Sequence, residues 1–215
     1  MKLFASWSGG KDCMLATYRI ITEGKHQLAF LLNMIDDEGI KSRSHGLNKE
    51  LIRKQAEHIG IPIIQQSTNF ESYEKKFKEA IIELKKQGVE GGVFGDIYLE
   101  AHRIWINRVC ADLNIVAIFP LWGENTELLL KEFINTGFKT ITVAINTKKL
   151  APQWLGRIID NDFYNDIIKL ENIDACAEQG EYHSFVFDGP IFSSELKFAT
   201  KEGYNDGDIT YLTIE

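Results

Sequence analysis

The sequence predicts an α/β fold: a parallel sheet with helices on both faces, followed by a smaller α+β unit. Three observations carry that expectation. Apolar strand-like runs alternate with amphipathic helical stretches up to about residue 123, a glycine pair separates the first strand from the first helix, and the tail beyond is β-rich. Strands alternating with helices of this length need crossover connections, and crossovers build parallel sheets.

Lys2–Trp7 reads as the first strand, running straight into Ser8-Gly9-Gly10-Lys11-Asp12. Lys11–Glu23 follows as a helix, with Met14, Leu15, Tyr18 and Ile21 on one stripe and Gly24 closing it. Gln27–Ile35 is apolar nearly throughout, as a strand covered on both faces should be. A polar loop, Asp36–His45, precedes a helix over Lys49–His58, and Gly60 and Pro62 punctuate the approach to strand Ile61–Gln65. Tyr73, Phe77, Ala80, Ile81 and Leu84 mark another helix. Gly91–Phe94 is a strand, Leu99–Leu113 a helix and Ile115–Phe119 a strand. After Pro120-Leu121-Trp122-Gly123 come a helix over Thr126–Asn135, strand Lys139–Ile145, a loop with Pro152 and Trp154, and a helical stretch over Phe163–Leu170. Strands are expected at Tyr182–Phe187, Glu195–Ala199 and Ile209–Ile214. The chain is thus expected to divide into 1–123 and 124–215, the second part packed against the sheet edge.

Composition narrows the function. A net charge of −7 without a long basic cluster disfavours a nucleic-acid partner. No apolar run reaches the roughly 18 residues of a membrane span, and no basic leader precedes an apolar core. Cys13, Cys110 and Cys176 are odd in number and widely spaced, which argues against a disulfide framework or zinc ribbon. A soluble, cytoplasmic protein is expected, with no membrane partner.

The chemistry concentrates at Ser8–Asp12. Glycine lets a backbone fold tightly around an anion, and the helix that follows offers free N–H groups and the positive end of its dipole. Ser8 adds a hydroxyl, Lys11 a point charge for phosphate oxygens, and Asp12 a carboxylate for a magnesium ion. The plain alternative is a glycine turn opening an ordinary helix. In parallel sheets the ligand crevice lies at the carboxyl ends of the strands, where this loop falls.

Neither a G-x-x-x-x-G-K-[ST] nor a G-x-G-x-x-G string occurs. Ser8-Gly9-Gly10-Lys11-Asp12 resembles instead the S-G-G-x-D loop of the N-type ATP pyrophosphatases, with Cys13 where that family usually carries Ser. Gly95-Asp96-Ile97, His102-Arg103, Val109-Cys110, Pro120–Gly123, Leu155-Gly156-Arg157, Glu178–Ser184 and Asp188–Phe192 follow the order seen in diphthine–ammonia ligases. That resemblance spans roughly residues 3–192. It implies an adenine nucleotide alpha hydrolase-like, Rossmann-like fold. It also implies an enzyme using ATP, magnesium and ammonia to amidate a carboxylate, in that family diphthine on elongation factor 2. The chain departs from the family in Ala101-His102-Arg103, where Tyr-Gln-Arg is typical, and at Cys176–Ser184, where Gly-Glu-Gly-Gly-Glu-Tyr-Glu-Thr is typical. Both departures fall where the acceptor is expected.

The resemblance makes Glu181, His183 and Arg103 the expected catalytic residues, Ser8, Gly9, Gly10, Lys11, Asp12 and Cys13 the nucleotide loop, and His45, Asp96 and Glu178 substrate contacts. Glu181 and His183 stand two apart in an expected strand, so their side chains would share a face and could deprotonate ammonium. Against each role stands a plainer one: a solvated strand face for this pair, an edge-of-helix arginine, a turn aspartate and a solvated loop carboxylate. His102 sits on an apolar stripe and reads as a core histidine, Cys110 as inert packing, and Cys176 as a loop thiol. Trp122 reads as a packing anchor. Two other functions compete: adenylation of another acceptor, such as a tRNA base or a small carboxylate, and an ATP- or AMP-binding module without turnover. The oligomeric state, a homodimer included, is not set by the sequence.

Overall fold

The computed structural model describes residues 1–43 and 45–215. Five parallel strands, β1 (Lys2–Ser6), β2 (Gln27–Ile35), β3 (Ile63–Ser67), β4 (Gly91–Val93) and β5 (Val116–Ile118), lie in the order β3-β2-β1-β4-β5. The order reverses beside β1, which opens a crevice above the β1 and β4 carboxyl ends. Helices α1 (Lys11–Glu23), α2 (Lys49–Ile59), α3 (Tyr73–Lys86) and α4 (Glu100–Asp112) connect the strands.

One face of the sheet is sealed by α3 and α4, where Phe77, Ile81, Ile106 and Val109 pack on Phe4, Leu32 and Phe94. The other face joins α1 and α2 to the remainder of the chain in one continuous core containing Met14, Ile20, Ile52, Phe133, Val143, Phe163 and Phe185. That remainder comprises α5 (Thr126–Asn135), β6 (Lys139–Asn146), α6 (Asn161–Ile167), β7 (Tyr182–Asp188), β8 (Thr200–Asp206) and β9 (Ile209–Ile214). Its strands form an antiparallel sheet in the order β7-β6-β9-β8.

Two expectations are corrected here. The second sheet lies against α1, α2 and the glycine loop rather than the edge of the first sheet. Val186 N donates to Gly9 O at 3.0 Å, and Arg19 of α1 reaches Pro120 O at 2.7 Å and Glu132 of α5. The strand expected at Glu195–Ala199 forms instead at Thr200–Asp206. Residues 195–199 run as coil, with Leu196 N donating to Phe187 O at 2.8 Å. β8 is exposed along its whole length, so it carries no apolar alternation to read. What specifies it is the turn: Gly207, at φ +58°, closes a hairpin in which Asp206 pairs with Ile209.

Gln55 of α2 is the buried polar hinge of this packing. Its amide donates to Gly9 O at 3.0 Å and Val186 O at 2.6 Å, and its carbonyl accepts from Trp7 Nε1 at 2.9 Å. Gln55→Leu takes a donor from the buried Gly9 and Val186 carbonyls and the acceptor from the Trp7 indole N–H. It should destabilise the fold by about 1–3 kcal/mol, read from urea unfolding.

Candidate functional site

The loop Ser8–Asp12 lies in the crevice because β1 delivers it there and α1 begins at its end. Gly9 takes φ +83°, a conformation costly for any residue with a Cβ. At Gly10 a Cβ would collide with the His45 ring. Ser8 Oγ accepts from Gly10 N at 3.4 Å, and the Cys13 thiol donates to Gly10 O at 3.2 Å. Burial pushes the Cys13 thiol above its ordinary pKa, so it stays protonated and serves as a donor within the loop.

A cavity of about 270 Å³ opens over this loop, lined among others by Ser8, Asp12, Cys13, His45, Asp96, Glu178 and His183. Six residues expected at the site therefore meet there with Cys13, although they come from five separate stretches of chain. Burial raises the pKa of both Asp12 and Asp96. Burial, then the charges of Asp12 and Asp96, pushes Glu178 up to about 7. The histidines move the other way. Burial holds His183 down at about 4, and burial together with His183 holds His45 well below its ordinary value. Their rings stack with centroids 4.6 Å apart. His45 Nδ1 faces Ser184 O at 2.9 Å; since a carbonyl can only accept, the Nδ1–H tautomer is fixed and Nε2 keeps its lone pair.

Glu178 reaches the cavity because the loop before β7 is over-determined. Asp174 Oδ1 accepts from Cys176 N at 2.9 Å and Glu178 N at 3.2 Å, and Ala177 between them sits at φ +62°. Glu181 holds the other end of this loop. Its carboxylate is fully buried and accepts from Gln179 N at 3.1 Å and Lys149 Nζ at 3.1 Å. The strand begins only at Tyr182, so Glu181 does not share the cavity-facing side of His183.

Two further expectations are not met by the geometry. Lys11 does not aim its ammonium at the cavity. It is 3% exposed, and its Nζ donates to Cys176 O and to Asp12 Oδ2, the latter at 2.8 Å, over the Tyr182 ring. Burial alone disfavours this charge, but the Asp12 carboxylate beside it holds the Lys11 pKa above its ordinary value. Arg103 lies over the Trp122 ring at 4.5 Å and the Phe119 ring at 5.8 Å, outside the cavity lining. Conversely, His102 is no core residue: its side chain is 62% exposed and Nδ1 meets Asp96 Oδ1 at 3.2 Å at the cavity wall. The apolar stripe runs beside it rather than over it. Cys110 and Cys176 are buried, and burial pushes both thiols up, Cys110 to about 11, so neither offers a sulfur nucleophile.

A second cavity, of about 630 Å³, adjoins the first and shares Ser6, Tyr73, Asp96 and His102 with it. Its aromatic lining includes Phe70 before α3, Tyr73 and Phe77 of α3, Phe94 at the end of β4 and Trp105 of α4. Helical spacing identified Tyr73 and Phe77 only as core residues. That α3 opens its first turn beside the crevice is set by sheet order, which no local pattern records.

Among the described residues, no three His, Cys, Asp or Glu side chains converge as a metal cage. A magnesium ion needs none, since one or two carboxylates plus phosphate oxygens and water suffice. Asp12 spends Oδ2 on Lys11, and its side chain is 32% exposed in a cavity shared with Asp96 and Glu178. This all-oxygen set fits such an ion. No helix among the described residues is long and apolar enough to cross a membrane.

The model for the diphthamide synthase N-terminal domain matches residues 1–116, and that for the C-terminal domain matches residues 125–215. The rat protein named diphthine–ammonia ligase is 27% identical over 94% of this chain and 84% of its own length. The human protein of that name is 26% identical over 91% and 82%. A fission yeast relative of the same name is 24% identical across 100% of this chain, which spans 39% of that longer protein. A solved chain from Methanocaldococcus jannaschii, titled a predicted subunit of tRNA methyltransferase, overlays with a TM-score of 0.44 at 16% identity. So distant a likeness says nothing of activity.

The opposed shifts of Glu178 and His183 fix a pH signature. His183 has a folded pKa of about 4, below the roughly 6.5 of free histidine, so acidification through that window favours the unfolded state, by up to about 3 kcal/mol. Glu178 has a folded pKa of about 7, above its unfolded value, so it adds stability over nearly the same window. Urea unfolding of Glu178→Gln should therefore lose stability more steeply than wild type between pH 7 and 5 (roughly the window between these two pKa values). His183→Gln should lose it less steeply.

Proposed function

The chain belongs to the diphthamide synthase family, and from that premise we propose that it is an ATP-dependent amide ligase. In this reading an acceptor carboxylate attacks the α-phosphorus of ATP and pyrophosphate leaves. Ammonia then attacks the acyl carbon, forming the C–N bond as AMP departs. A carboxylate oxygen is a poor leaving group and AMP a good one, which is why adenylation comes first.

The observation that carries the reading is the convergence of the Ser8–Asp12 loop with Glu178 and His183 in one cavity. Ser8, Gly9, Gly10, Cys13 and the opening turn of α1 would seat the phosphates, with a magnesium ion on Asp12. Leu32 and Met34 line the apolar part of the same cavity and offer a surface for the purine. Asp96 and His45 flank the acceptor carboxylate. Lys11 contributes by fixing the loop rather than by touching phosphate.

Ammonium must lose a proton before it can attack. Glu178, poised near neutrality, and the unprotonated His183–His45 pair are the acceptors placed to take it. Glu181 then acts by holding Glu178 in place, and Arg103 supports the wall from outside. Residues 1–123 bind nucleotide and 124–215 present the acceptor side. The acceptor is diphthine on elongation factor 2, the substrate in the relatives' names, or another carboxylate of like shape.

The direct test is AMP formation from magnesium-ATP and ammonium, with and without diphthine-bearing elongation factor 2. AMP should appear only with both. Asp12→Ala should abolish pyrophosphate release, and unchanged release would sink the adenylation half. Glu178→Gln should slow ammonia-dependent AMP release by about 10²–10⁴-fold.

A further inference from the structure

Glu178 faces the cavity only while the loop 174–181 keeps its shape, and one carboxylate staples that loop shut. Glu181 Oε2 accepts from Gln179 N at 3.1 Å, and Oε1 is turned to Asp174 N at 3.5 Å, so both ends of the loop meet on one group. The same Oε1 accepts from Lys149 Nζ at 3.1 Å, and Lys149 also donates to Gln179 O at 2.9 Å. Among the described residues Lys149 is the one cation paired with Glu181, whose side chain is 0% exposed against 30% for Lys149.

A carboxylate stripped of water is held as an acceptor only when it is hydrogen-bonded and beside a cation. Without the cation it either takes a proton or swings out to water. Either way its grip on Gln179 N and Asp174 N weakens, and the turn through Ala177, at φ +62°, loses what holds it in a costly conformation. The backbone already brings the cation to the loop. Asn146 N donates to Glu181 O at 2.9 Å and Lys149 N to Asn146 O at 3.0 Å, so the turn after β6 runs beside residues 179–181. Lys149 lines neither cavity, and it lies outside the stretches that follow the diphthine–ammonia ligase order.

We propose that Lys149 is a positioning residue: by neutralising the buried Glu181 carboxylate it holds the 174–181 loop in the arrangement that turns Glu178 into the cavity. The consequence for ammonia attack rests on the ligase reading; the hold on the loop does not.

Amide hydrogen exchange, followed by mass spectrometry on the full chain, reads that hold directly. In Lys149→Met, exchange over residues 174–181 should quicken about tenfold or more while β1 and α1 stay as in wild type. AMP formation from magnesium-ATP, ammonium and diphthine-bearing elongation factor 2 should slow about 10–100-fold at limiting ammonium, with ATP affinity unchanged. Lys149→Arg should restore both readings. In a Glu181→Gln background, where no counter-ion is needed, Lys149→Met should change either reading little further. Unchanged exchange in Lys149→Met overturns the proposal, as does an equal added loss in the Glu181→Gln background. So does ATP binding that weakens in step with AMP formation, which would make Lys149 a general support of the fold. Should Lys149→Met not fold, Lys149→Gln reads the same quantities. A wild type that forms no AMP removes the ligase reading, and the exchange result still decides the role of Lys149 in the loop.

Discussion

The site depends on one contact: the glycine loop of the first sheet is clamped by β7, an edge strand of the second. Val186 N donates to Gly9 O, Lys11 N donates to Ser184 Oγ at 3.1 Å, and Gln55 bonds both partners of the first pair. A loop left with bare carbonyls and a left-handed Gly9 would be free to sample many shapes. Clamped on both sides, it would meet the phosphates of the ligase reading without an ordering cost at binding. The same clamp makes the cavity composite, because β7 cannot hold Gly9 without also bringing His183 and Glu178 to the loop. The buried Lys11 ammonium tightens the arrangement, tying Asp12 to the Cys176 carbonyl.

The electrostatics follow from that burial. Closing the second sheet over the loop strips water from three carboxylates and two imidazoles. Desolvation drives the carboxyl pKa values up and the imidazole values down, so both sets move toward neutral forms. Glu178 is brought up to about 7, since the charges of the other two carboxylates add to its burial. In the ligase reading, imidazoles kept unprotonated suit a nucleophile that must arrive as ammonia, not ammonium.

Local pattern carried most of the first sheet. Gly24 and Gly60 end α1 and α2 in left-handed conformations, as C-terminal glycines should, and the apolar run of β2 ends within one sheet. The place of the Ser8–Asp12 loop between β1 and α1 was legible for the same reason: its signal lies in consecutive residues between a strand and a helix. The misreadings share a cause. Lys11, Glu181, His102 and Arg103 were judged by residue type and neighbours in sequence, but what each touches comes from segments many positions away. Lys11 meets Cys176, and Glu181 meets Lys149. The aromatic cavity was hidden by the same limit, since a ring at helical spacing looks alike whether it faces a core or a crevice. β8 was misplaced because an exposed edge strand has no apolar face, and its only signal is the turn at Gly207.

The altered acceptor side can be placed in physical terms. Where relatives typically carry Glu-Thr after the Tyr that stands at Tyr182, this chain has His183 and Ser184. Ser184 keeps a hydroxyl, and that hydroxyl accepts from Lys11 N, so the clamp survives the change. His183 replaces a negative charge with a ring that stays neutral against His45, which removes one anion from a cavity already holding Asp12, Asp96 and Glu178. With Lys11 turned away, each carboxylate at this loop adds repulsion toward a triphosphate that only a bound cation or the α1 dipole can offset. In the ligase reading the substitution would ease nucleotide binding and leave Glu178 as the ionisable carboxylate on the acceptor side.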